Sequence, residues 1–588
     1  MYPVTRAEPT GPAASLRTFA VLAGISLLAL GLRVWNLNYG LPGVFNMDER
    51  PILDRALTFA KGDPNPHNFL YPTLYLYAIF AWEALYFVVG RGLGWFSSLA
   101  AFQNAFFVDA SGHVLAARLL TALVGSATVP AVFLFGRRVG GTGVGLAAAL
   151  LLAVAPLAVR DAHYVKLDVP VTLFATLALA TLTRIAAEPE AAARWRTWVA
   201  AGFLAGLAIS THYYAAILAV PFAAVAAADV GRSGRWQTSA GLLIAAGLAT
   251  IAGFVLGSPF FVLEPGVLLR DFTELRQVDI DRAVGSGLFS SLDTYGAMLP
   301  RAMGWPTVAL ALAGILSMLW RDWRRALPLA VFPLAFMVFV ANTFPASRYL
   351  NIIIPTVAVA AACGAAGLLR VFRPTASLAF TAVVVLAAVP PLADSVRWDR
   401  FFGQPDTRTL AGQYIEREVP PGTTILVQPY SAPLRQSKEG LLEALRAHVG
   451  DEARAPIKYR LQLAATPYPA PAFRLLYLGE GGKTGVAPGD VDKVYLSPRA
   501  FAGGDVAALR AAGVRLVVLT RYGPTASALV PVESVLRRDA RLVKTFSPYA
   551  PGIDAATADV PPFRHNSNTW IDGSLERPGP IVDVWQLD

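Results

Sequence analysis

Charged side chains set beside apolar stretches are where this chain could do chemistry. The first candidate is Asn46-Met47-Asp48-Glu49-Arg50-Pro51, two adjacent carboxylates a short way past an apolar run. Pro51 suits the first turn of a helix. That places Asp48 and Glu49 near the N-cap, where the macrodipole holds a carboxylate ionised. A fixed carboxylate at a water-limited boundary is a candidate general base. A plain helix cap on a solvated loop is the competing reading. The second candidate runs from Arg160 to Pro170 and crowds Arg160, Asp161, His163, Lys166 and Asp168 between two apolar runs. A charge in mid-membrane costs about 2.5–3.5 kcal/mol. A loop this dense therefore needs either pairing among its own charges or a polar ligand. The third is Ser210-Thr211-His212-Tyr213-Tyr214, a polar turn able to touch a ligand or to anchor at the interface through its tyrosines. The fourth is Pro345-Ala346-Ser347-Arg348-Tyr349. Its one arginine fits phosphate pairing or a snorkelling anchor.

The elements that must hold these residues follow from composition. The chain has 588 residues, 55% hydrophobic and only 15% charged. Soluble domains carry roughly 25% charged residues, so a soluble enzyme and a disordered protein are excluded. The single cysteine, Cys363, rules out an internal disulfide and a cysteine-based metal site. Apolar runs near membrane-spanning length lie at 18–32, 114–136, 142–159, 170–186, 197–210, 213–230, 238–257, 304–320, 326–342, 350–369 and 375–393. The first is followed by Arg33-Val34-Trp35 and lacks a small-residue cleavage site, so it reads as an uncleaved anchor.

Basic clusters fall after every second run from 114–136 onward. They are Arg137-Arg138, Arg184 with Arg194 and Arg196, Arg232 with Arg235, Arg321 with Arg324-Arg325, and Arg370 with Arg373. The positive-inside rule makes these loops and the N-terminus cytoplasmic. The net charge of +10 thus reads as topology and calls for no nucleic-acid partner. The outer loops are then 36–113, 160–169, 211–212, 258–303 and 343–349, with everything after 394 outside as well. A single crossing at 70–90 would invert this scheme. That segment, with Tyr71, Tyr75, Tyr77, Tyr86 and Glu83, is expected to lie in the interface or to pair with 95–108 as a hairpin. Eleven spanning helices are expected, or thirteen if the hairpin crosses. Residues 1–393 form the membrane domain in this reading. Residues 394–588 form a soluble α/β domain, with a helix over Leu410–Glu418 and strands over Thr424–Val427, Arg515–Thr520 and Ile581–Leu587.

The ordered set Leu32-Arg33-Val34-Trp35, Leu41-Pro42-Gly43 with Asp48-Glu49, Tyr71-Pro72-Thr73-Leu74-Tyr75, Asp168-Val169-Pro170, Ser210 to Tyr214, Ser347-Arg348-Tyr349-Leu350 and Pro578-Gly579-Pro580 resembles the GT-C superfamily of membrane glycosyltransferases. The likeness is to its family-39, protein-mannosyltransferase and aminoarabinose-transferase-like group. The resemblance implies a polytopic helical fold and transfer of a sugar from a polyprenyl-phosphate donor to a lipid, protein or glycan hydroxyl. It implies a place in the inner (plasma) membrane. Asp48, Glu49 and Asp168 would be its catalytic carboxylates. Arg348 and Tyr349, His212 and Tyr213, Lys166, His163 and Tyr71 would be its substrate contacts. It leaves a divalent cation open, with Asp48 and Asp168 as the oxygen ligands. Where relatives often carry Lys-Tyr in the polar turn, this chain has His212. A transporter or lipid flippase and a non-catalytic glycan-binding anchor are the rival functions. Candidate charges on one side of the membrane and the absence of a P-loop favour the transferase.

Overall fold

The computed structural model describes residues 12–282, 289–369, 376–479, 491–501, 506–523, 529–554, 558, 560–565, 568 and 570–587. Arg370 and Arg373 lie outside them. Among the described residues, nine helices are long and apolar enough to cross a membrane. Three shorter apolar helices, Leu99–Val108, Thr142–Ala153 and Trp195–Ile209, accompany them. The longest apolar helix, Trp305–Val340, breaks at Asp322 (φ −151°, ψ 71°). The break falls inside the Arg321–Arg325 cluster, so the two expected spans at 304–320 and 326–342 are both present. The segment expected in the interface or as a hairpin forms a helix over Leu74–Gly92, followed by the shorter Leu99–Val108. The chain is a multi-span membrane protein with an α-helical body and a sheet-containing C-terminal region.

The chain forms two compact units. The first gathers residues 1–37, 48–84 and 116–399, and the second gathers 38–47, 85–115 and 400–588. Within the first unit, burial ranks the helices. The apolar windows of Asp168–Ala187 and Ser347–Leu368 are 72% and 83% buried, against 11% for Ser15–Val34. The two helices that begin with candidate site residues are therefore interior helices. Small residues let the bundle close, as expected where lipid supplies no hydrophobic drive between helices. A Cβ on Gly202 would lie 2.1 Å from the Ala246 carbonyl oxygen, and one on Gly314 would lie 2.0 Å from that of Ala360. Thr250 adds a hydrogen bond from Oγ1 to the Gly202 carbonyl at 3.0 Å.

The second unit carries a six-stranded sheet. Its strands are β1 (Thr424–Val427), β2 (Arg474–Leu478), β3 (Val494–Leu496), β4 (Leu516–Arg521), β5 (Arg541–Phe546) and β6 (Ile581–Gln586). The spatial order is β3-β2-β1-β4-β6-β5. β1 to β4 are parallel, and β6 runs antiparallel to both β4 and β5. The helices Lys438–Val449 and Ile457–Ala464 link β1 to β2, and Ala507–Ala511 lies between β3 and β4, the kind of connection a parallel sheet uses. The expected helix before β1 is present and begins a few residues earlier, at Thr407, where the Asp406 side chain caps it. The three strands expected from sequence are β1, β4 and β6.

Candidate active site

The site is built in the first unit, where short connecting segments meet the ends of interior helices. Asp48 sits at the N-cap position of the helix Glu49–Thr58, two residues earlier than Pro51 suggests, and makes no side-chain capping bond. Its carboxylate is half-buried. Glu49, one residue on, is fully buried. Arg118 donates to it from Nε and Nη2, both at 2.8 Å, and donates from Nη1 to the Leu37 carbonyl at 3.0 Å. The Val165 amide adds a third bond to Glu49 at 3.1 Å. The adjacent carboxylates thus have different work. Glu49 ties the first outer loop to the Ser111–Gly140 helix and to the second outer loop. Asp48 stands at the site.

Asp168 is the first residue of its helix and is buried. The Tyr214 hydroxyl donates to its Oδ1 at 3.0 Å, and Arg348 Nε stands 4.0 Å from its Oδ2. Arg348 also lies 5.1 Å over the Tyr349 ring, and Tyr349 meets Tyr214 edge to face at 5.7 Å. His212 stacks on Tyr214 with ring centroids 3.8 Å apart and faces Tyr71 at 6.3 Å. The Nδ1 of His212 is buried without a hydrogen-bond partner among the described residues. Burial, with Arg348 adding to it, pushes this imidazole down to about 3. His212 is therefore neutral at ordinary pH. It offers a hydrogen-bonding group and no charge.

Tyr71 lies at the electrical centre. Burial pushes its hydroxyl up, Asp48 and Asp168 add to the shift, and Arg348 and Arg55 oppose it. Lys166 is nearly enclosed and lies 4.9 Å over the Tyr164 ring. Burial lowers its ammonium group, Arg348 reinforces the shift, and Asp161, Asp48 and Asp168 oppose it. Six of the residues singled out from sequence therefore share one field: Asp48, Asp168, Arg348, Lys166, Tyr71 and His212.

Two further expected contacts, His163 and Tyr213, bond backbone carbonyls. His163 is fully buried. Its Nδ1 and Nε2 lie 2.9 Å from the carbonyls of Val159 and Trp35, and Asp399 lies 3.5 Å from Nε2. The ring locks the second outer loop onto the end of the first helix. Tyr213 donates its hydroxyl to the Phe69 carbonyl at 2.6 Å, so it holds the segment carrying Tyr71.

Asn351, Tyr295 and Asp271, none of them singled out from sequence, support the site together with Arg160, Asp161 and Ser347 of the candidate loops. Asn351 donates from Nδ2 to Asp161 Oδ2 at 2.6 Å and to the Arg348 carbonyl at 3.0 Å. Arg160 donates to Asp161 and to Ser347. These bonds clamp the short 3₁₀ segment Ser347–Ile353 and so place Arg348. The Tyr295 hydroxyl accepts from the Ala346 amide at 3.1 Å, tying the helix Leu292–Met303 to the same loop. Asp271 accepts from the Phe69 amide at 2.5 Å. The one signal available beforehand was Arg118, a lone charge inside an apolar run, where it demands a partner. Among the described residues, no group of three or more His, Cys, Asp or Glu side chains is gathered as a metal would need. Asp168 Oδ1 accepts from Tyr214 and its Oδ2 faces Arg348.

Comparison with known proteins places this geometry. Residues 98–256 match the family described as dolichyl-phosphate-mannose-protein mannosyltransferase. No curated protein matches the chain. Among solved structures, apo ArnT from Cupriavidus metallidurans is 16% identical, with a TM-score of 0.50, over 90% of this chain and 96% of that one. The same enzyme bound to undecaprenyl phosphate gives 15%, a TM-score of 0.49 and 98% of each chain. The Archaeoglobus fulgidus oligosaccharyltransferase tethered to an acceptor peptide gives 14% and a TM-score of 0.43 over 72% of this chain, which spans 65% of that protein. The matched segment 98–256 and the ArnT-like fold agree with the resemblance read from the ordered motifs.

Proposed function

We propose that the protein transfers a monosaccharide from a polyprenyl-phosphate-linked donor to an acceptor hydroxyl at the outer face of the plasma membrane, with inversion at the anomeric carbon. The carrying observation is one half-buried carboxylate, Asp48, in a shared field with two cations, Arg348 and Lys166, around Tyr71. The chemistry asks for both signs of charge. Asp48 takes the proton of the acceptor hydroxyl as its oxygen bonds the anomeric carbon. The bond from that carbon to the phosphate oxygen breaks, and its electron pair leaves with the lipid. A singly charged phosphodiester becomes a doubly charged monoester, and Arg348 and Lys166 face the added charge. The neutral His212 supplies a hydrogen bond, while Tyr71 and Tyr349 wall the sugar.

Glu49 and Asp168 act as positioning residues in this reading. Glu49 holds the loop of Asp48 through Arg118, and Asp168 orients Arg348 and Tyr214. The matched family's name, with its dolichyl-phosphate-mannose donor, supports the donor class. No step runs through a metal ion. The N-terminus is cytoplasmic and residues 394–588 lie outside, on the strength of the arginine distribution. The acceptor is a lipid, protein or glycan hydroxyl.

The test is a panel of polyprenyl-phosphate sugars offered to the purified protein in proteoliposomes, with candidate acceptors outside. The expected result is release of polyprenyl phosphate coupled to a product of inverted configuration by NMR. Product of retained configuration would overturn the direct displacement. Movement of intact donor across the bilayer without cleavage would favour a flippase.

A further inference from the structure

Two stretches of the ordered motif set have no part in the site above, Leu41-Pro42-Gly43 and Pro578-Gly579-Pro580. Both lie in the second unit, and both pack toward one buried ion pair. Asp406 accepts from Arg408 Nε at 2.8 Å and from Nη2 at 2.7 Å, and the Arg408 amide donates to the same carboxylate at 2.9 Å. His565 Nε2 stands 3.6 Å from it. Gly579 (φ +106°) seats the pair, because a Cβ there would lie 2.2 Å from Thr407 Oγ1 and 2.5 Å from Asp406 Oδ1. Thr407 fastens the same turn twice. Its amide donates to the Pro578 carbonyl at 3.0 Å, and its hydroxyl to that of Pro580 at 2.6 Å.

The charge of Arg408 is matched by Asp406. What remains on offer is the flat face of its guanidinium, held in one plane by the two-pronged bond. Phe45 lies on that face, with its ring centroid 3.7 Å from the guanidinium carbon. Gly43 makes room for the ring: a Cβ on it would come 2.4 Å from Phe45. Tyr39 gives a second hold, stacked on Phe402 at 4.6 Å and on His565 at 5.4 Å. Between these anchors the chain forms neither helix nor strand. Val44 has φ +44°, a value that a β-branched residue keeps only when its surroundings impose it. Asp48 follows Phe45 with two residues between them.

We propose that Arg408, acting through Phe45, is a positioning residue for Asp48: the Asp406–Arg408 pair fixes the chain that leads into the base. This rests on the reading of Asp48 as the base of the transfer. A general base needs its oxygen within hydrogen-bond reach of the hydroxyl it deprotonates. A misplacement of about 1 Å costs about a hundredfold in rate. In the same reading the donor's phosphate meets Arg348 and Lys166, which other segments hold, so loosening Phe45 should spare donor binding and slow turnover.

The test uses the full chain with Cys363→Ala and a nitroxide spin label on Met47→Cys. Met47 is 62% exposed and directly precedes Asp48, so its spectrum reads the order of this segment. Phe45→Leu stays apolar and loses the ring face. It is expected to add a mobile component to the spectrum and to lower kcat at least about tenfold, with the donor KM within about twofold of native. Arg408→Lys keeps a charge for Asp406 without the planar face and should act in the same direction. Phe45→Tyr keeps the face and should restore both readouts. Melting temperature checks that each variant is folded, and either disruptive variant alone suffices. An immobile spectrum in folded Phe45→Leu or Arg408→Lys protein would overturn the proposal. So would a mobile spectrum with unchanged kcat, a loss that falls on KM instead of kcat, or a Phe45→Tyr protein as impaired as Phe45→Leu. The spectrum separates the two claims: a native chain without turnover would overturn the transferase reading, whereas an unchanged spectrum overturns this one alone.

Discussion

Asp48 and Glu49 are neighbours in the chain and opposites in environment. Glu49 is enclosed with both oxygens bound by Arg118, and removing one partner of a buried pair strands the other charge. Glu49→Gln is expected to cost about 3–5 kcal/mol, read as a lower melting temperature in detergent. An unchanged melting temperature would remove its structural role. Arg348→Ala should raise the KM for the lipid donor more than it lowers kcat. Arg348→Lys should recover part of that affinity, because a point charge still meets phosphate without the planar fork. His212 sets a pH dependence. Its folded value, about 3, lies below the ordinary 6.5. Above pH 6.5 the ring is neutral in the folded and unfolded chain. As pH falls from 6.5 toward 3, the unfolded chain takes a proton that the folded site refuses, and stability is lost. His212→Phe should show a smaller fall in melting temperature between pH 6.5 and 4.5 than the native protein.

The helices were the most legible elements. Apolar runs near 20 residues announce spans, and even the break at Asp322 was visible as an arginine cluster between two runs. Strands β1, β4 and β6 were readable from dense β-branched and aliphatic runs beside Gly and Pro turns. β2, β3 and β5 were not singled out: β3 has three residues and β5 is largely exposed, so neither shows a clear apolar period. The site residues themselves were legible because charge is scarce beside lipid. Their supports were not. Arg118 meets Glu49 across 69 residues and Asn351 meets Asp161 across 190, and no local pattern encodes such pairs. Helix packing makes its own prediction. With Ala360's carbonyl oxygen 2.0 Å from where a Cβ would stand, Gly314→Leu must push two helices apart. The expected result is a loss of monodisperse protein on size exclusion; normal yield and melting would contradict the close approach.

At the scale of the whole molecule, the arginine pattern makes a statement about sides. Cys363 is the only cysteine, so a Cys363→Ala background allows single reporters. A cysteine at Lys438 should react with a membrane-impermeant maleimide in intact cells, and one at Gly140 only after permeabilisation. The reverse pattern would invert the topology and move Asp48 to the cytoplasmic face. The proposed function requires the donor's sugar, the acceptor and the half-buried Asp48 to share the outer surface, which is what this labelling checks. The most direct check is mass spectrometry of the lipid and glycan pools of cells carrying either the native protein or Asp48→Asn at equal level and equal melting temperature. The account predicts a glycan or lipid gaining one sugar mass with the native protein, and a loss of that product of at least about a hundredfold with the variant. Undiminished product with a folded Asp48→Asn protein would contradict it.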